Sequence, residues 1–166
     1  TANPSTTLRV AQTADHEAES IIRDVRDGTL RDDIAAPPDI RAQIEATLRP
    51  NPQRSAELEQ CISHRGRLLP MDFWKLAVLS NWTGGTVGLY VRKLREFYGE
   101  APTRDLGLIA SEARMSIPLE SGTPAGVLEI GGCFYEFIPA DQIDSPRPDV
   151  LRCHELTEGE DYFIII

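Results

Sequence analysis

The chain has 166 residues, 41% hydrophobic and 26% charged, with a net charge of −9 at pH 7. That length suits about one domain with its own core. The acidic balance argues against a sequence-independent nucleic-acid binder and against an anionic-membrane binder; no apolar run reaches the roughly 20 residues of a membrane span, and no signal-peptide pattern opens the chain. Three widely spaced cysteines, Cys61, Cys133 and Cys153, fit reduced thiols in a cytoplasmic protein better than a disulfide framework.

In chain order, residues 1–12 are polar and predicted to be loose. A first helix is expected from a Thr13 cap through Arg26, with Ala18, Ile21, Ile22 and Val25 on one face and Gly28 as its stop. Pro37-Pro38 break the chain. Asp39 is placed to cap a second helix, whose Ile40, Ile44 and Leu48 repeat every four residues until Pro50. Asn51 caps a third, with Pro52 at its first position, Leu58, Cys61 and Ile62 as its stripe and Gly66 as its end. Residues 13–66 therefore read as a helical section.

From residue 67 the character changes. Leu76, Ala77, Val78, Leu79 and Trp82 read as a buried strand and Thr83-Gly84-Gly85 as a turn. Val87, Tyr90, Val91, Leu94 and Phe97 follow at helical spacing, with Gly99 at the end. Leu106, Leu108, Ile109 and Ala110 read as a second buried strand that stops at Ser111-Glu112. Residues 67–119 thus form a strand–helix–strand unit, and residues 120–166 read as mostly β. Residues 126–130 and 133–139 flank Gly131-Gly132 as a hairpin, 150–156 reads as a strand, and 161–166 as the last one. The expectation is an α/β protein, with 13–166 forming one domain or part of one. The chain starts at Thr1 and ends on an apolar strand, which suggests a segment of a longer protein.

Two stretches could carry chemistry, and the two predicted strand ends are expected to meet in one nucleotide site. Glycines between strand and helix let backbone approach a ligand closely, and a helix start offers free N–H groups to an anion. Thr83, Gly84 and Gly85 fit that use, although any tight strand-to-helix turn has the same composition, and no GxxxxGK[ST] phosphate loop is present. A carboxylate at a strand end suits Mg²⁺, which takes one or two carboxylates plus phosphate oxygens. Glu112 fits, with the Ser111 hydroxyl beside it; a solvated loop acid is the plainer reading. Arg114 could serve a phosphate or pair with Glu112. Ser111 is not a hydrolase nucleophile, because its surroundings read I-A-S-E-A and not G-x-S-x-G. Cys61 and His64 lack the further ligands of a zinc site and read as a core cysteine beside a surface histidine. His154 reads as a partly buried strand residue, and Phe134, Tyr135 and Phe137, which span both faces of a strand, as core packing first and as lining of a ligand pocket second.

Taken together, these stretches resemble the auxin-responsive promoter family, the acyl-acid amido synthetases of the adenylate-forming superfamily. The family's T-G-x-M/T-x-x-Y segment has its counterpart in Thr83-Gly84-Gly85-Thr86-Val87-Gly88-Leu89-Tyr90. Its Y-A-S-S-E segment is matched by Leu108-Ile109-Ala110-Ser111-Glu112, with leucine for tyrosine. Its F-F-E-F-I-P strand is matched by Phe134-Tyr135-Glu136-Phe137-Ile138-Pro139, and its H-E-L-x-x-G-x-x-Y pair by residues 154–162. Asn51-Pro52 also fits. The likeness runs over residues 20–166 in consistent order.

The resemblance implies a piece of the large N-terminal domain of a luciferase-like, adenylate-forming enzyme. It implies a ligase that uses ATP and Mg²⁺ to activate a small carboxylic acid as acyl-AMP and passes the acyl group to an amino acid amine. Thr83, Gly84, Gly85 and Ser111 would border the nucleotide, Glu112 would be the catalytic and metal-binding carboxylate, and Val87, Tyr90 and Leu108 would line the acyl pocket. The family's Ser/Gly/Thr-rich phosphate loop ending in lysine and its Y-R-x-G-D ribose motif are absent from the 166 residues, so the isolated chain is expected to be inactive. The alternative is a non-catalytic α/β binding or interaction domain derived from the same scaffold.

Overall fold

The computed structural model describes residues 3–166; residues 1 and 2, part of the stretch expected to be loose, lie outside the described residues. The chain divides into two compact units, residues 1–103 and 104–166.

The N-terminal unit is mainly helical. Its first helix, α1 (Pro4–His16), begins nine residues before the predicted Thr13 start, with the Asn3 side chain accepting from the Ser5 N–H at 3.0 Å and Pro4 in the first turn. The inward stripe of α1 is Pro4, Leu8, Ala11 and Ala14. Small side chains on that face give little hydrophobic periodicity, which is why the stretch reads as loose in sequence. After a break at Glu17, α2 (Ala18–Asp27) ends on Gly28 at φ 67°, as expected. The third predicted helix forms as α4 (Pro52–Arg65): Asn51 accepts from the Arg54 N–H, and Gly66 closes it at φ 75°. Its stripe is led by Leu58, with Cys61 and Ile62 half-buried.

Between them, α3 (Pro38–Thr47) starts at Pro38 behind Pro37 and buries no residue. The expected stripe is exposed at Ile40 (43%) and Ile44 (38%). The Arg41 guanidinium ties α3 to the preceding loop by donating to the carbonyls of Leu30, Arg31 and Ile34 at 3.2, 2.9 and 2.7 Å.

The helical turn α5 (Pro70–Phe73) follows, and then the two-residue strand β1 (Leu79–Ser80), with a bridge at Asn81. The long buried strand expected from Leu76 to Trp82 is therefore not formed; Val78 is 50% exposed and Trp82 39%. A turn leads into α6 (Gly88–Tyr98), closed at Gly99 as predicted, and the chain leaves along β2 (Thr103–Arg104). Two clusters form the core. Leu8, Ala11, Leu69, Leu94, Phe97 and Tyr98 join α1 to α6, and Ala18, Ile22, Leu58 and Leu68 join α2 to α4.

The C-terminal unit is built from short antiparallel pairs, as the fold expectation required. Strand β3 (Ser116–Ile117) pairs with β4 (Val127–Leu128), Ser116 opposite Leu128. Strand β5 (Glu136–Pro139) pairs with β6 (Tyr162–Ile165), Phe137 opposite Ile164. Met115, Tyr135 and Phe137 are the buried centre, with Ala110, Leu128, Leu151, Tyr162 and Ile164 packed on them.

Three strand expectations fail here. Residues 105–110 are not a strand: Asp105 turns its carboxylate onto the Gly107 N–H at 2.6 Å, and Gly107 takes φ +83°, which no strand residue adopts. The hairpin across Gly131-Gly132 does not form, because β4 pairs backwards with β3 and the Glu129 carboxylate fills the turn, accepting from the Gly131 N–H at 2.8 Å. Residues 150–156 contribute one bridge, Leu151 to Phe137, before a short 3₁₀ turn at Cys153–Glu155. His154 lies on that turn and is exposed, not partly buried in a strand.

Candidate functional site

The turn that carries Thr83, Gly84 and Gly85 hangs from a buried anchor. Asn81, just before it, is completely buried, and its Oδ1 accepts from the Thr7 hydroxyl of α1 at 2.6 Å. Asn81 Nδ2 has no partner within the protein. Past the turn, Gly85–Val87 form one 3₁₀ turn that runs into α6. Gly88 opens α6 so close to the turn that a Cβ there would lie 2.6 Å from the Thr83 carbonyl oxygen. No side chain caps α6 and no acid stands in its first turn; the Gly88 N–H donates to the Gly85 carbonyl of the preceding turn. Val87 is half-buried, whereas Leu89 (82%) and Tyr90 (40%) are exposed. Tyr90 stands one place later than the family spacing of that segment. Thr83, Gly84, Gly85, Val87 and Tyr90 thus fall together on one turn and the start of one helix.

In the C-terminal unit, Ser111 and Glu112 are the two tip residues of a tight reversal. Ile109 and Arg114 bridge its base, and the Ala110 N–H donates to the Ala113 carbonyl at 2.9 Å. Both tip residues are exposed, and the Ser111 hydroxyl donates to Glu112 Oε2 at 2.9 Å. That bond takes one carboxylate oxygen and leaves Oε1 clear. Leu108, 54% exposed, stands on one leg of the same reversal. A buried strand end was expected here; an exposed tip is what forms, and it holds Leu108, Ser111 and Glu112 together. Arg114 is exposed and makes no ion pair with Glu112 among the described residues.

No group of three or more His, Cys, Asp or Glu side chains able to hold a metal ion occurs among the described residues. Cys61 is half-buried and His64 exposed, as expected of a core cysteine beside a surface histidine. Glu112 fits Mg²⁺ only as a single carboxylate whose remaining ligands come from phosphate oxygens and water, which is how Mg²⁺ is commonly held.

Sequence reasoning missed the residues that hold these segments in place. Thr7 acts on Asn81 across 74 positions, and the Tyr135 hydroxyl reaches the Arg114 carbonyl across 21. Neither contact leaves a local signal. A hollow of about 580 Å³ lies elsewhere in the N-terminal unit, between α1, α2 and the loop at Leu30, Arg31 and Ile34, and none of the predicted site residues lines it. The strand that leads to Thr83 borders another, of about 360 Å³.

Comparison with known proteins agrees with the motif reading. Residues 1–103 match the GH3 family N-terminal domain and residues 126–166 the GH3 family central domain. The chain is 28% identical over 140 residues to jasmonoyl–L-amino acid synthetase GH3.5 of Oryza sativa subsp. japonica, covering 79% of this chain and 24% of that protein. It is 26% identical over 163 residues to jasmonoyl–L-amino acid synthetase JAR6 of Nicotiana attenuata, covering 89% and 27%. The chain thus spans about a quarter of the length of the curated relatives it matches. Two solved structures share the fold. One is the GH3.15 acyl acid amido synthetase, with TM-score 0.79 and 22% identity over 98% of this chain and 30% of that one. The other is the AtGH3.15 acyl acid amido synthetase in complex with 2,4-DB, with TM-score 0.80 and 20% identity over 98% and 29%. By its matches to both the N-terminal and the central domain, the chain belongs to the GH3 family.

Proposed function

We propose that this chain is part of an ATP-dependent ligase that activates a carboxylic acid as acyl-AMP, releasing pyrophosphate, and then joins the acyl group to an amino acid amine, releasing AMP. The observation that carries the reading is the exposed Ser111-Glu112 tip within a chain of this family, with one Glu112 oxygen held by Ser111 and the other clear. Glu112 would hold Mg²⁺, which when bound offsets negative charge on the ATP phosphates. Ser111 orients that carboxylate and offers its hydroxyl lone pairs to the nucleotide. Thr83, Gly84 and Gly85 present backbone and the uncapped start of α6 to it. Val87, Tyr90 and Leu108 supply apolar surface for the acyl group. The three free thiols suit a reducing, cytosolic setting.

ATP–pyrophosphate exchange by the full-length protein against a panel of carboxylic acids tests this reading. Glu112→Ala should lower exchange by about 100-fold, in keeping with the loss of one charge-stabilising group. Unchanged exchange in that variant would remove the assignment. A second reading, a non-catalytic binding or interaction domain derived from the same scaffold, would be favoured if the full-length sequence lacked the family's lysine-ended phosphate loop and its Y-R-x-G-D motif. Nucleotide binding without exchange, across the whole acid panel, would decide for it.

A further inference from the structure

The Ser111-Glu112 tip has little strand pairing of its own to hold it. One bridge, Ile109 to Arg114, closes its base. The Ala110 N–H donates to the Ala113 carbonyl, and the Met115 and Ser116 N–H groups donate to the Leu108 carbonyl at 2.8 and 3.2 Å; two side chains add to this support. On one leg the Ser116 hydroxyl oxygen accepts from the Leu108 N–H at 2.9 Å. On the other, the Tyr135 hydroxyl donates to the Arg114 carbonyl at 3.3 Å. Tyr135 is 3% exposed and packs with Met115 and Phe137, the cluster on which Ala110 of the tip also rests. Burial pushes the Tyr135 phenol upward from its ordinary value, with smaller contributions from Cys133, Glu129 and Cys153. Its oxygen therefore stays protonated and remains a donor.

We propose that Tyr135 is a positioning residue for Glu112: with the Ser116 hydroxyl holding the opposite leg at Leu108, the Tyr135 hydroxyl fixes the base of the reversal and so sets where the tip carboxylate stands. This rests on the reading of Glu112 as the metal-binding carboxylate. Tyr135 touches neither nucleotide nor acid in this scheme; it acts through the Arg114 backbone. At 3.3 Å its hydrogen bond is long for a hydroxyl donor, so its loss belongs at the weak end of the usual range.

Tyr135→Phe tests this, because it removes the hydroxyl and keeps the ring in its packing. Amide hydrogen exchange in the chain is the first readout. The Ala110 amide, which closes the reversal, should exchange about 2- to 5-fold faster. The Phe137 and Leu151 amides, paired with each other in the same core, should not change. Magnesium titration of ATP–pyrophosphate exchange in the full-length protein is the second; the half-saturating Mg²⁺ concentration should rise by a similar factor. Ser116→Ala should show the same pattern through the other leg and serves if Tyr135→Phe folds poorly. Equal acceleration at Ala110, Phe137 and Leu151 would make Tyr135 merely a core residue and overturn the proposal, as would an unchanged Ala110 amide. If Glu112→Ala leaves exchange activity intact, the site reading fails instead; an accelerated Ala110 amide then means that Tyr135 braces a tip without chemistry, and its positioning role falls too.

Discussion

The buried contact between Thr7 and Asn81 gives a sharp test of how the N-terminal unit holds its candidate turn. Thr7→Val keeps the shape of the side chain and removes its hydroxyl. Asn81 Oδ1 then loses its 2.6 Å donor while Nδ2 already has no partner within the protein, so a whole amide is left buried and unpaired. That should cost about 1–3 kcal/mol. Asn81→Leu removes the amide instead. The Thr7 hydroxyl keeps a second acceptor, the Asn3 carbonyl at 3.3 Å, so this change should cost less than about 1 kcal/mol. The double variant has no polar group left to satisfy and should be no worse than Asn81→Leu alone, giving a coupling of about 1–3 kcal/mol, the whole cost of Thr7→Val. The assay is urea unfolding followed by tryptophan fluorescence. Trp74 and Trp82, the only two tryptophans, both lie in the N-terminal unit, so the signal reports that unit. The slope of free energy against urea should stay constant across the set. A Thr7→Val variant within about 0.3 kcal/mol of the parent, or additive single effects, would refute the reasoning.

Two further outcomes follow from ion pairs and loop clamps. The Arg31 guanidinium, hydrogen-bonded to Glu17 at 2.6 Å, holds the Glu17 carboxyl below its ordinary value of 4.5, with His16 adding to the effect. The folded value lies below the unfolded one, so the stabilisation is full above the ordinary value and is lost as pH falls through the depressed one. Glu17→Gln should therefore flatten the acid side of the stability–pH curve, measured by urea unfolding at a series of pH values; an unchanged slope would count against the pair. For Arg41→Ala, loss of the donors to the carbonyls of Leu30, Arg31 and Ile34 should make proteolysis in residues 30–36 at least about 10-fold faster. Arg41→Lys should restore protection only in part, since an ammonium cannot reproduce the guanidinium fork; full restoration would argue against the three-carbonyl clamp.

What sequence reading recovered here was local and what it missed was not. Asn51, Pro52 and Gly66 bracket α4 as expected, because a cap side chain, a first-turn proline and a left-handed stop each act within a few residues. The start of α1 was hidden because half of its inward face is alanine, beside Pro4 and Leu8, and burial of such small side chains leaves a weak period. Leu106, Leu108, Ile109 and Ala110 have the composition of a buried strand, yet Asp105 and Gly107 turn the backbone out of it, and Leu108 and Ile109 are exposed. Gly131-Gly132 is a turn, but a turn does not name the strand that follows as its partner; β4 found β3 instead. At the candidate site the residue types were legible in Thr83, Gly84, Gly85, Ser111 and Glu112. Their supports, Thr7 and Tyr135, depend on tertiary contacts that no short window holds.

The pairing of β5 with β6 leaves one edge of the small sheet open. Leu151 occupies part of the far side of β5, while no strand covers the far side of β6 among the described residues. Phe163, Ile165 and Ile166 are exposed beside that edge, which makes it a template for any further strand of suitable pattern. Glu158, Glu160 and Asp161 lie exposed in the turn that leads into β6, and the chain as a whole carries −9. Like charge is then the guard that keeps one copy from zipping onto another, and it reaches only about 10 Å at 0.1 M salt. At high ionic strength that repulsion shortens while the edge is unchanged, so added salt favours the pairing of a further strand on β6.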